Sequence, residues 1–195
     1  MKKRIIKNKK LFRLIIAILI SFILGILYIA ILSKTNKSMI KDNLELYFSS
    51  LNKLNYTKAL INSLSTNLLY TIGIWLLGIS IIGVPIIIVL LLFKSFTIGF
   101  TISSIIYFYK FKGILIAIIY IIPLVIDLYL IFFLSYYSLI FSNNLNRLLF
   151  LKKEISFKNI IRRYIKILIF VVIGIIISSI MEVYLIPNIL KLIKI

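Results

Sequence analysis

No cysteine and no histidine occur in these 195 residues. Their absence excludes disulfides, thiolate nucleophiles, Cys/His metal centres and every imidazole-based proton transfer. Acidic side chains are scarce as well, five against 24 Lys and Arg. Two of them, Asp127 and Glu182, fall inside apolar runs, on different segments and without the motif of a paired-aspartate intramembrane protease. No Gly-rich loop ending in Lys-Ser or Lys-Thr offers a phosphate cradle. Neither an enzyme nor a bound cofactor or metal is expected.

What is present is apolar side chain. Hydrophobic residues make up 62% of the chain, and the mean hydropathy is +1.13. Ordinary soluble domains are about 45–50% apolar with about 25% charge, so this much apolar surface exceeds what one core could hide from water. The expected fold class is all-α, a multi-pass integral membrane protein. The net charge of +19 reflects 19 Lys and 5 Arg in a chain with 48 Ile, a bias that AT-rich coding produces. No basic, aromatic-interleaved soluble surface accompanies it, so a nucleic-acid partner is not expected. The Lys and Arg cluster between apolar blocks, where they anchor cytoplasmic loops and meet anionic lipid.

A hydrocarbon core of about 30 Å takes roughly 20 helical residues. Five uncharged or nearly uncharged runs qualify as spans: 14–32, 68–93, 95–109, 113–141 and 167–186. The first follows a basic head, 1–13, and is too long for the apolar region of a signal peptide. Within 68–93, Gly83 and Pro85 predict a broken or kinked second helix, because proline has no N–H and forces its predecessor out of the helical region. The run 95–109 is short. Two arrangements stay open: a tilted helix of its own, or a helix 86–109 with Lys94 inside it and 68–82 only partly inserted. Pro123 and Asp127 interrupt the fourth run, which predicts tilt or a kink at the proline. Between the first two runs, 33–67 is polar. There Ile40, Leu44, Phe48 and Leu51 recur at helical spacing, predicting a short amphipathic helix that rests on the membrane or docks a partner.

Five spans with a cytoplasmic N-terminus place 15 basic residues inside and 9 outside, the sense of the positive-inside rule. The 33–67 loop and the C-terminus then lie outside the cytoplasm. An acidic side chain at a helix centre carries an insertion cost of about 2.5–3.5 kcal/mol. Glu182, near the outer end of the last run, can reach the interface, Asp127 calls for protonation or a lysine partner such as Lys94 or Lys110, and an ion or proton path is the functional alternative for each. Gly174, Ser178 and Glu182 share one helix face, as do Ser95, Gly99 and Ser103, and Ser21 with Gly25. Such small-residue seams are where membrane helices approach one another.

The stretch 73–103, GIWLLGISIIGVPIIIVLLLFKSFTIGFTIS, resembles the core signature of the stage II sporulation protein M family. The residues in register are Trp75, Leu77, Gly78, Ser80, Ile82, Gly83, Pro85, Lys94, Gly99, Phe100 and Thr101. Glu182, Tyr184 and Pro187 are similar to the family's Glu-x-Tyr-x-x-Pro ending, and KDNLELYF in the outer loop is similar to the family's helix there. In the fourth span Pro123 is kept, Leu124 and Val125 replace a polar pair, and Asp127 has no family counterpart. The resemblance implies five spans with the N-terminus inside. It also implies a membrane scaffold at the sporulation septum, on the mother-cell side, which brings two peptidoglycan-degrading partners, stage II sporulation proteins D and P, to the engulfing membrane. A homo-oligomer is a further option. The competing class is a transporter or channel component that uses the Gly83–Pro85 break and the carboxyl groups, as discontinuous helices do.

Overall fold

The computed structural model describes residues 2–50, 55–80, 82–150 and 157–192; Leu51 of the amphipathic stripe and the loop lysines Lys53, Lys152, Lys153 and Lys194 lie outside them. Every regular element described is helical. The order is α1 (Lys2–Ile31), α2 (Lys34–Ser50), α3 (Tyr56–Ile79), α4 (Gly83–Phe150) and α5 (Phe157–Ile180), followed by a π-helical turn (Met181–Leu185) and α6 (Ile186–Leu192). Among the described residues, four stretches are long and apolar enough to cross a membrane: Leu11–Ile31, Tyr56–Ile79, Gly83–Asn146 and Phe157–Lys191. The third is interrupted at Lys110 (φ 48°, ψ −121°), where α4 folds into two arms, 83–109 and 111–150. These torsions match the first central position of a type II′ turn, a place glycine usually fills. Gly113 completes the reversal, because a Cβ there would stand 2.5 Å from the Ile105 carbonyl oxygen.

The chain break near Gly83 falls at Ser80, five residues before Pro85. α3 ends at Ile79, Ser80 is extended (φ −95°, ψ 139°), and α4 starts at Gly83. Two short bonds carry the turn, Ser80 N–H to Leu77 O (3.1 Å) and Gly83 N–H to Ser80 O (3.3 Å). Gly83 is required by contact: a Cβ would meet the Leu77 carbonyl oxygen at 2.0 Å. Pro85 sits in the first turn of the new helix, where its missing N–H has no intrahelical partner to lose. The run 68–93 is thus not one kinked helix. Its first part finishes α3, which starts at Tyr56 with Asn55 as N-cap, and its second part opens a helix that runs through Lys94 to the Lys110 reversal. The second of the two open arrangements is the closer one, with a full helix 56–79 in place of a partial insertion. Pro123 does not interrupt the second arm, whose residues keep helical torsions throughout.

α1 lies along the first arm of α4 with backbones nearly touching. A Cβ on Gly25 would stand 2.1 Å from the Phe96 carbonyl oxygen, and one on Gly99 would stand 2.2 Å from that of Phe22. Ser21 Oγ donates to Leu92 O (2.7 Å) and Ser95 Oγ to Ile18 O (2.9 Å). The two seams read from sequence therefore face each other. Tyr28 closes the upper edge, edge-on to Phe96 and Phe100. On the other side α3, the second arm and α5 enclose a core of Ile74, Ile87, Leu91, Ile131, Leu134, Val171 and Ile175. Gly174 of α5 meets the end of Leu130 there.

The amphipathic α2 turns its apolar face inward. Leu44 and Phe48 pack on Ile105, Ile116, Tyr120, Ile186 and Leu190, and Tyr120 donates to the Tyr47 hydroxyl (2.9 Å). Desolvation there raises the Tyr47 pKa above its ordinary value, and the group stays protonated. Of the stripe expected to meet lipid or a partner, Leu44 and Phe48 are thus half-buried against the protein's own helices. What α2 leaves outward is the Lys41–Glu45 pair (3.5 Å), Asp42, Met39 and Leu46.

Gly99→Leu should force α1 off the first arm and lower stability by about 3 kcal/mol. Gly73→Ala, at a helix-interior site with nothing within 4 Å of the added Cβ, should be neutral or raise it by up to about 1 kcal/mol. Thermal unfolding of the purified proteins in detergent checks both.

Candidate functional site

Ser63, Asn67 and Thr71 stand at i, i+4 and i+8 on α3, so one polar row runs down an otherwise apolar helix. Their partners come from three other segments. Ser63 Oγ donates to Glu182 Oε2 (2.7 Å), and Asn67 Nδ2 reaches Ser179 Oγ (3.5 Å). Lys94 Nζ donates to Asn67 Oδ1 (3.3 Å) and lies 5.7 Å from the centroid of the Tyr70 ring. Thr71 Oγ1 turns back to Asn67 O (2.8 Å). The result is a polar ladder between α3, the first arm of α4 and α5, with Glu182 at its outer end and Lys94 at its middle.

Asp127, on the second arm, lies beside Ser178 of α5. It is 4% exposed, its Oδ1 has no hydrogen-bond partner, and Lys94 and Glu182 stand within electrostatic reach. Lys110, the other lysine considered for it, sits in the reversal at the end of the arm. Beside Asp127, Ser178 Oγ donates to the Pro123 carbonyl (3.2 Å), tying the second arm to α5. An ammonium and two carboxyls thus come from three helical segments, Lys94 and Glu182 each hydrogen-bonded to α3 and Asp127 beside Ser178, where each alone would be expensive in a membrane. Chemically the ladder can lock helix positions or pass a proton or small cation. The geometry alone carries the first use directly, since most of its polar atoms are already engaged.

Glu182 lies within the π-helical turn Met181–Leu185. Pro187 explains the widened turn, because its ring would strike the carbonyl of Val183 in a regular α-helix. π-bulges occur often at functional sites. Outside the ladder Tyr184 stacks on Tyr56 (5.2 Å, 9°), whose hydroxyl donates to Asn188 Oδ1 (3.2 Å). Glu182, Tyr184 and Pro187 thus form one device that fixes the outer end of the last helix against the start of α3.

At the other end of the bundle Tyr164 of α5 enters a knot. Its hydroxyl donates to Trp75 O (2.8 Å) and contacts Ser138 Oγ (2.7 Å), while its ring stacks on Phe141 (4.2 Å) and Trp75 (5.6 Å). Gly78 admits that hydroxyl: a Cβ there would lie 2.2 Å from it. Ser142 Oγ then donates to Ser80 O (3.2 Å), so the turn before Gly83 is held by the second arm.

Sequence reasoning singled out Lys94, Asp127 and Glu182; the structure places Lys94 and Glu182 on the ladder and buries Asp127 beside Ser178. Trp75 and Gly78 go to the Tyr164 knot, Gly83 and Pro85 to the turn, and Gly99 and Phe100 to the α1 crossing. It missed Ser63, Asn67, Ser179 and Tyr164. The signal for the first two was available, a four-residue polar spacing running from the outer loop into the apolar run. Assigning 33–67 wholly to a loop hid it.

Among known protein families, the one described as Stage II sporulation protein M matches residues 15–187. No curated protein and no solved structure matches the chain.

Asn67→Leu should strand the Lys94 ammonium and lower stability by about 1–3 kcal/mol. Adding Lys94→Met should recover much of that loss, and a double-mutant cycle by thermal unfolding measures the coupling.

Proposed function

The chain belongs to the stage II sporulation protein M family and is a sporulation-related membrane protein; from that premise we propose that it is a non-enzymatic scaffold of endospore formation. In this role it crosses the mother-cell membrane five times, with α1, α3, the two arms of α4 and α5 as the spans, its N-terminus in the cytoplasm and α2 and α6 on the wall side. It recruits the peptidoglycan-degrading stage II sporulation proteins D and P to the septum, where the mother-cell membrane engulfs the forespore. The family match over nearly the whole chain carries this proposal. Supporting it, the chain has no histidine and no cysteine, and the close α1 crossing, the ladder and the Tyr164 knot brace one helix bundle at both ends. A scaffold needs that rigidity to present a constant surface. With the apolar face of α2 folded inward, the surface offered to wall-side partners is its outward row, Lys41, Asp42 and Glu45 with Met39 and Leu46.

The ladder favours a second reading, a path for a proton or small cation along Glu182, Asp127 and Lys94. Purified protein in vesicles separates the two: a transporter moves solute or protons unaided, and a scaffold leaves the gradient intact.

Deleting the gene in its source organism should arrest starved cells with a flat or bulging septum, read by membrane-dye microscopy. The wild-type chain should restore engulfment, and Gly99→Leu should fail to; normal engulfment in the deletion strain would sink the proposal. In this cysteine-free chain, Asn36→Cys should react with an impermeant maleimide added outside intact cells, whereas Asn146→Cys should react only after permeabilisation.

A further inference from the structure

α5 begins with Lys158, Arg162 and Lys166 at i, i+4 and i+8, all exposed on one ridge. Like charges at that spacing destabilise a helix when left to themselves. No acidic side chain pairs with any of the three among the described residues, and the nearest acid in the sequence, Glu154, stands outside them. At a rise of about 1.5 Å per residue the three cations span about 12 Å along the helix. The same ridge continues, without a further charge, into Phe170, Ile173 and Ile177, exposed by 57%, 54% and 55%. A row of cations leading into an open apolar row is the chemical image of an anionic phospholipid, with phosphate at one end and acyl chain at the other.

We propose that this ridge is a seat for an anionic phospholipid, its phosphate held by Arg162 with Lys158 and Lys166, and its acyl chains lying along Phe170, Ile173 and Ile177. Charge complementarity selects the occupant. An acidic protein segment would satisfy the cations but would have no use for the apolar row that continues from them, and a zwitterionic lipid would satisfy the apolar row but leave the cations uncompensated. Tyr137 of the neighbouring arm holds Arg163 5.7 Å from its ring centroid, a cation–π contact that keeps this fourth charge beside the seat. The inference needs only that the helices lie in a membrane. It is independent of the partners proposed above.

The test is native mass spectrometry of the full chain released from vesicles of equal phosphatidylglycerol and phosphatidylcholine. The wild type should retain phosphatidylglycerol preferentially. K158Q/R162Q/K166Q should lose that preference, by about fivefold for each charge removed, while its thermal unfolding and elution volume stay unchanged. Lys7, Lys9 and Lys10 replaced together by Gln serve as the charge-matched control and should leave most of the preference in place. An equal loss in the control would show diffuse attraction in place of a seat and overturn the proposal. So would a wild type that retains both lipids alike, the result expected if the ridge binds an acidic protein.

Discussion

In hydrocarbon the hydrophobic effect does not drive one helix against another, because lipid tails are as apolar as leucine. Association has to come from close backbone approach, interhelical hydrogen bonds and dispersion. The bundle depends on this constraint throughout. Gly25 and Gly99 let α1 and the first arm of α4 approach until a single added methyl would meet a carbonyl oxygen. The serines beside them, Ser21 and Ser95, spend their hydroxyls on the opposite backbone. Glycine in the middle of a helix is entropically unfavourable, and its use here follows from the contact it permits.

The same constraint accounts for the polar residues. Lys94, Asp127 and Glu182 are individually expensive in a membrane; Lys94 and Glu182 each bond to α3, while Asp127 keeps one carboxyl oxygen without a hydrogen-bond partner. Asn67 serves two segments at once, accepting from Lys94 on the first arm and reaching Ser179 on α5. Ser63 links α3 to the π turn that carries Glu182. At the opposite end Tyr164 does with one hydroxyl and two stacked rings what the ladder does with amides and charges. The family's motif residues divide between the two ends and the α1 crossing, so a single chain-long signature reports three separate joints.

A braced bundle bears on function through its surfaces. With Leu44 and Phe48 of α2 packed against the tips of the arms and α6, that end of the bundle presents Lys41, Asp42 and Glu45 beside the exposed Met39 and Leu46. At the other end the first turns of α5 expose cations above an open apolar ridge.

Composition and patterning alone determined the helical membrane class, the absence of cysteine and histidine chemistry and the small-residue seams, and they marked Lys94, Asp127 and Glu182 as polar residues within apolar runs. These follow from single residues or from spacings along one helix, which the chain displays directly. Tertiary structure decided the rest. The break at Ser80 is set by the Leu77 carbonyl against Gly83 and by Ser142 beneath the turn, contacts that hydropathy does not register. Along α3, which extends back to Tyr56, Ser63 finds its partner on the π turn and Asn67 on α5 and α4, and a polar residue reads as loop until its partner is known. The inward turn of α2 likewise depends on an apolar surface assembled from both arms and α6. Residues far apart in the chain supply each of these partners, and only the folded arrangement brings them within bonding distance.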